Sequence, residues 1–231
     1  SDAGLVVYLH GFQPAVDEAV DQQAKDRAFD ASAVEPLLDA ATDEHVDEHA
    51  GEDEHEDESG GKDPHVWLDP ARLATIGDKL AARLGAADPA HAADYTARAA
   101  SLRSDLQALD AAYTQQLATC ERREFVTSHS AFNYLATRYK LEQVAIAGLS
   151  PEDEPSAQRL DAVRKEAREH GATTIFFETL VSPKIAETIA REVGAKTAVL
   201  DPLEGLADTT GDYISVMRTN LTALRTALGC S

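Results

Sequence analysis

Glu124-Phe125-Val126-Thr127-Ser128-His129 is a short apolar run that stops on a hydroxyl and an imidazole, and three more short apolar runs follow it along the chain. Similar runs occupy Gln143 to Ala147, Thr173 to Phe177 and Thr197 to Leu200. Between them, apolar residues recur at helical spacing around Ala131 to Tyr139, Ser156 to His170, Pro183 to Val193 and Asp212 to Leu228. Strands of four or five residues alternating with helices of nine or more predict a parallel sheet with crossover helices. The fold class is therefore α/β.

Upstream, Leu5-Val6-Val7-Tyr8-Leu9 has the length and β-branching of a buried strand, Gly11 breaks it, and Pro14 suits the first turn of a helix carrying Val16, Ala19, Val20 and Ala24. Asp69-Pro70 introduces a helix to about Leu84, with Leu73, Ile76, Leu80 and Leu84 on one face. Asp88-Pro89 starts a longer one, in which Tyr95, Ala99, Leu102, Leu106, Leu109, Tyr113 and Leu117 keep a spacing of three and four up to Cys120. About 30 helical residues would span roughly 45 Å. Such a helix either joins two lobes or lies along one large domain. On the two-lobe reading, residues 1–87 form a first lobe, 88–119 the connecting helix and 120–231 a second lobe.

The 231 residues are 43% hydrophobic, enough for one sizeable core or two smaller ones. A net charge of -20 repels phosphates, which argues against nucleic acid and anionic membrane surfaces and favours cations. Half of that charge comes from Asp43 to Glu58, which holds ten acids, three histidines (His45, His49, His55), no base and only Val46 and Ala50 as apolar side chains. A segment of this composition within 43–61 buries too little to offset its ordering entropy, and reads as a loop that binds metal weakly. No apolar run is long enough to span a bilayer. Cys120 and Cys230 are free to meet in space, as a disulfide or as two buried thiols.

Ligands of open parallel sheets bind beyond the carboxyl ends of the strands. There the sequence places His129, Glu178 and Asp201, and Asp63-Pro64-His65 adds a second imidazole. His65, His129 and Asp201 form a mixed nitrogen and oxygen set suited to zinc or manganese, with Glu178 supporting a ligand. Taken singly, His129 could cap a helix, Asp201 could start a turn at Pro202, and His65 could pack beside Trp67. His10 reads as a loop residue near the same cleft, and His91 and His170 as solvated.

Three motifs in order, Asp63-Pro64-His65-Val66-Trp67-Leu68-Asp69-Pro70, Thr127-Ser128-His129-Ser130-Ala131-Phe132 and Val199-Leu200-Asp201-Pro202-Leu203, resemble those of the ZnuA-like zinc and manganese solute-binding proteins of bacterial ABC importers. Phe177-Glu178, Ser182-Pro183-Lys184 and the acidic His-rich segment are similar as well. The resemblance covers essentially the whole chain. It implies two α/β lobes bridged by a rigid helix, a Zn2+ ion (Mn2+ in some members) held between them, and a second-lobe disulfide between Cys120 and Cys230. It also implies an extracytoplasmic monomer, periplasmic or lipid-anchored at the cell surface, that serves an importer permease and is not an enzyme. Histidine at position 129 favours zinc over manganese. The family normally has a further strand, helix and histidine-bearing loop upstream of Leu5, so the first lobe is expected to be incomplete. A surface adhesin or metal buffer and, less in keeping with the motifs, a zinc hydrolase are the alternatives.

Overall fold

A computed structural model describes residues 3–40, 61–180, 182–205 and 211–231. The acidic segment with His45, His49 and His55 lies outside the described residues. The chain folds as β1 (Val6–Tyr8), α1 (Pro14–Gln23), β2 (Ala28–Asp30), α2 (Pro70–Ala87), α3 (Ala92–Gln116), β3 (Glu124–Thr127), α4 (Asn133–Tyr139), β4 (Glu142–Ala145), α5 (Ala157–Glu169), β5 (Thr174–Phe177), α6 (Lys184–Val193), β6 (Lys196–Val199) and α7 (Tyr213–Leu228). No helix among the described residues is long and apolar enough to cross a membrane.

The second lobe is a four-stranded parallel sheet in the order β4-β3-β5-β6, covered on both faces. Successive side chains of a strand point to opposite faces, and here both faces are apolar. Phe125 and Phe176 pack with α4, α7 and the end of α3, while Val126 and Ile175 pack with Val163 of α5 and Ile189 of α6. Because β3 pairs with both β4 and β5, the chain reverses its direction of winding there. A crevice therefore opens beyond the carboxyl ends of β3 and β5.

The first lobe contains the parallel pair β1 and β2, in register Val6 to Ala28. β2 was not expected from the sequence. Its core is small: Leu9, Phe29, Val34, Leu37 and Leu38 close onto Val66, Ile76 and Tyr134, the last contributed by α4 of the second lobe. The Tyr134 hydroxyl accepts from the Leu38 amide at 2.9 Å and donates to the Asp63 carbonyl at 2.9 Å, so one side chain joins both lobes and the segment before His65.

α2 runs three residues beyond the expected end, because Gly85-Ala86-Ala87 continues it and Asp88 still donates to the Leu84 carbonyl. α3 is shorter than expected, with 25 residues against about 30, since Pro89 to His91 form a separate tight turn and the helix ends at Gln116. At 1.5 Å per residue it is about 37 Å long. Its first half packs antiparallel on α2, where Arg103 pairs with Asp78 and Leu102 lies over Gly77. Its second half enters the second lobe through Leu109 and Tyr113, followed by Leu117 just past its end, and the Tyr113 hydroxyl donates to the Met217 carbonyl at 2.6 Å. The helix thus links the two lobes. Just beyond it, Cys120 and Cys230 form a disulfide across 110 residues.

Candidate metal centre

His129 follows β3 at the reversal of winding, and its backbone is held before its ring is considered. Its carbonyl accepts from Thr127 Oγ1 at 2.8 Å and from Gln143 Nε2 at 2.9 Å. The ring is 1% exposed. Its Nδ1 meets Glu178, which follows β5 and also accepts from the Ser128 hydroxyl. Its Nε2 lies 2.9 Å from Glu204 Oε1.

His65 reaches the same oxygen from the other side. Asp63 accepts from the His65 amide at 2.9 Å and faces the ring Nδ1 at 2.7 Å, so a two-residue turn aims the imidazole. Its Nε2 is 2.9 Å from Glu204 Oε1. The ring packs beside Trp67, with centroids 5.3 Å apart, and Phe12 of the first lobe sets its edge near both at 5.3 Å from Trp67 and 6.3 Å from His65.

His65, His129 and Glu204 each offer one atom to a cluster in which those atoms lie within 4.8 Å of one another. Atoms bonded to one tetrahedral zinc at 2.0–2.2 Å stand about 3.3 Å apart. The 2.9 Å imidazole–carboxylate contacts would have to open by only a few tenths of an ångström to admit the ion.

The electrostatics of the cluster follow from its contacts. All four ring nitrogens face carboxylate oxygens, which accept and cannot donate when ionised. Both imidazoles are therefore held as cations. For His129, burial pushes the pKa down, but hydrogen bonds to Glu178 and Glu204 outweigh it and raise the value to about 9. For His65, burial also opposes the charge, and Asp63 and Glu204 together raise the pKa. Burial works against ionisation of Glu204, yet the two imidazoles hold its pKa down to about 2. A metal ion held at the two Nε2 atoms would take the place of two protons, with Asp63 and Glu178 keeping the Nδ1 protons and fixing the tautomer.

Of the expected trio, the structure brings His65 and His129 together and leaves Asp201 out of the cluster. Asp201 Oδ1 accepts from the Leu203 amide at 2.8 Å, the turn that an Asp-Pro pair commonly starts. Asn220 of α7 clamps its backbone, accepting from the Asp201 amide at 3.0 Å and donating to its carbonyl at 2.7 Å. Leu203 then adopts φ 61°, a left-handed conformation costing on the order of 1–2 kcal/mol in a non-glycine residue. The reversal carries Glu204 back over the strand ends. Glu204 is the group that sequence reasoning missed; its signal was a second carboxylate three positions past Asp201, just before Gly205. His10 lies outside the cluster, exposed and 3.3 Å from Asp17. His91, just before α3, pairs with Asp88, and His170, just after α5, lies 3.6 Å from Glu124; neither belongs to the cluster.

Over residues 1–227 the chain matches the family described as ZnuA, zinc-uptake complex component A, periplasmic. It is 39% identical over 235 aligned positions to the high-affinity zinc uptake system protein ZnuA of Bacillus subtilis, covering 98% of this chain and 72% of that protein. It is 42% identical over 167 positions to the zinc-binding protein AdcA of Streptococcus pyogenes, covering 71% of this chain and 32% of AdcA. The matched region thus spans about a third of the AdcA relatives. The solved structure of the laminin-binding protein Lmb of Streptococcus agalactiae, described as bifunctional with adhesin and metal-transporting activity, superposes with a TM-score of 0.84 at 34% identity. That match covers 98% of this chain and 81% of Lmb.

Proposed function

Since this chain belongs to the ZnuA family of zinc-uptake components, we propose that it captures Zn2+ outside the cytoplasm at His65, His129 and Glu204 and delivers it to an ABC-type permease. The observation that carries this reading is the convergence of two buried imidazoles and one carboxylate, from three separate segments, within 4.8 Å. Two neutral nitrogens and one anionic oxygen suit zinc, whereas manganese favours sites richer in oxygen. The metal is cargo, so tight capture matters and an open position for activated water does not. Glu178, the one carboxylate that a hydrolytic reading would need as a general base, is engaged by His129 and Ser128. A surface-adhesin role draws its support from the likeness to Lmb and would be additional to metal capture.

Calorimetric zinc titration tests the reading. The parent should bind one equivalent tightly, and His129→Ala and His65→Ala should each lose most of that affinity. Deleting 43–58 should leave the tight site in place. If both alanine variants bind one equivalent as tightly as the parent, or if the deletion abolishes the tight site, the cluster is not the capture site.

A further inference from the structure

The geometry points to Asp201 and Trp67 as positioning residues that hold Glu204 at the metal centre, so that a strained turn, and not the lobes themselves, governs whether the third group is in place. This inference rests on the zinc reading above and assigns roles to residues outside the ligand set.

The argument starts from where Glu204 is anchored. It follows a backbone in the left-handed region at Leu203, which a leucine does not adopt unaided. Three contacts hold the turn in that shape. Asn220, 1% exposed, clamps the Asp201 backbone from both sides. The Asp201 carboxylate accepts from the Leu203 amide and closes the turn at 2.8 Å. The Trp67 indole N–H donates to the Pro202 carbonyl at 2.8 Å. Trp67 is itself fixed, because its own carbonyl accepts from the Tyr213 hydroxyl at 2.7 Å. It also lies two residues from His65 and touches its ring, so one side chain sets the distance between His65 and the arm that carries Glu204.

The consequence is directional. His65 and His129 are each fixed by a carboxylate behind the ring and by buried backbone. Glu204 is partly exposed and follows a turn that is held in shape by the hydrogen bonds of Asp201, Trp67 and Asn220. The arm is therefore the element that can withdraw while both imidazoles stay, and release of the ion passes through it.

The inference is tested on the full chain with Zn2+ affinity by chelator competition, Zn2+ release by stopped flow, and the visible absorption of bound Co2+, which reports the ligand set. Glu204→Gln serves as the reference and should weaken zinc at least tenfold and alter the Co2+ spectrum. Asp201→Ala and Trp67→Phe should weaken zinc about tenfold, the size expected when a supporting partner is lost, mainly through faster release. Both should shift the Co2+ spectrum towards that of Glu204→Gln. Asp201→Asn retains an oxygen that accepts from the Leu203 amide, and should restore the parental spectrum and affinity to within about threefold. If Asp201→Asn loses as much as Asp201→Ala while Glu204→Gln binds normally, Asp201 is itself the ligand and the zinc reading at Glu204 fails. If Glu204→Gln is weak but Asp201→Ala and Trp67→Phe match the parent in release and spectrum, the ligand set stands and the positioning role is wrong. Far-ultraviolet circular dichroism of each variant separates both outcomes from misfolding.

Discussion

Raising the pH from 6 to 10 should tighten zinc binding steeply and then stop, because the ion competes with protons at two imidazoles. At pH 7, His129 sits two pH units below its value of about 9, so only about one molecule in a hundred presents a bare Nε2. Freeing that nitrogen is worth about 100-fold in apparent affinity between pH 7 and the plateau, or about 3 kcal/mol. His65 is raised as well, so at pH 6 both rings carry the second proton and each captured ion should expel close to two. Glu204, held down at about 2, is ionised across the whole range and contributes no slope. Calorimetry in two buffers of different ionisation heat counts the protons directly, at pH 6 and again near pH 10. A release of less than about half a proton at pH 6, together with an affinity flat from pH 7 to 9, would refute the double-cation arrangement.

The same groups set a pH dependence of folding in chelator. The Glu204 contribution is complete above its unfolded value near 4.5 and lost as pH falls through about 2, and the His129 contribution is complete below about 6.5 and lost as pH rises through about 9. The two shifts share the His129–Glu204 contact and are not added; the His129 shift, which also draws on Glu178, is alone worth about 3 kcal/mol, so urea melts should show a maximum between about pH 4.5 and 6.5 and a decline of that size by pH 10. Cys120→Ser with Cys230→Ser opens a loop spanning 110 residues and should cost about 4–5 kcal/mol in a denaturant melt; a loss under about 1 kcal/mol would show that the reduced chain is already constrained. Leu109→Ala empties a fully buried position where the linking helix enters the second lobe, and should cost about 2–5 kcal/mol by the same melts.

The second lobe was legible because its central strands β3 and β5 carry apolar side chains for two covered faces. The edge strands β4 (Glu142-Gln143-Val144-Ala145) and β6 (Lys196-Thr197-Ala198-Val199) are only partly buried and are marked by short apolar stretches between helical patterns. Their observed ends fall within two residues of the runs. β2 was not legible: Ala28-Phe29-Asp30 has one large apolar residue and no period, and becomes a strand only because β1 lies beside it. The linking helix was read too long because Leu117 keeps the apolar spacing after the backbone has left helical geometry at Gln116. At the centre, His65 and His129 could be found because a motif and a strand end mark them. The choice between Asp201 and Glu204 could not be made, since it turns on the sign of one φ angle at Leu203 that no residue in Pro202-Leu203-Glu204 announces.

Trp67 is the chain's only tryptophan, and it stands against the His65 ring while bonded to the turn that carries Glu204. Protonated imidazole quenches indole emission efficiently, whereas a zinc-bound imidazole is a poorer quencher. The intrinsic fluorescence of the unmodified protein should therefore brighten as the ion enters, giving a label-free optical record of capture and loss from the chain's one indole.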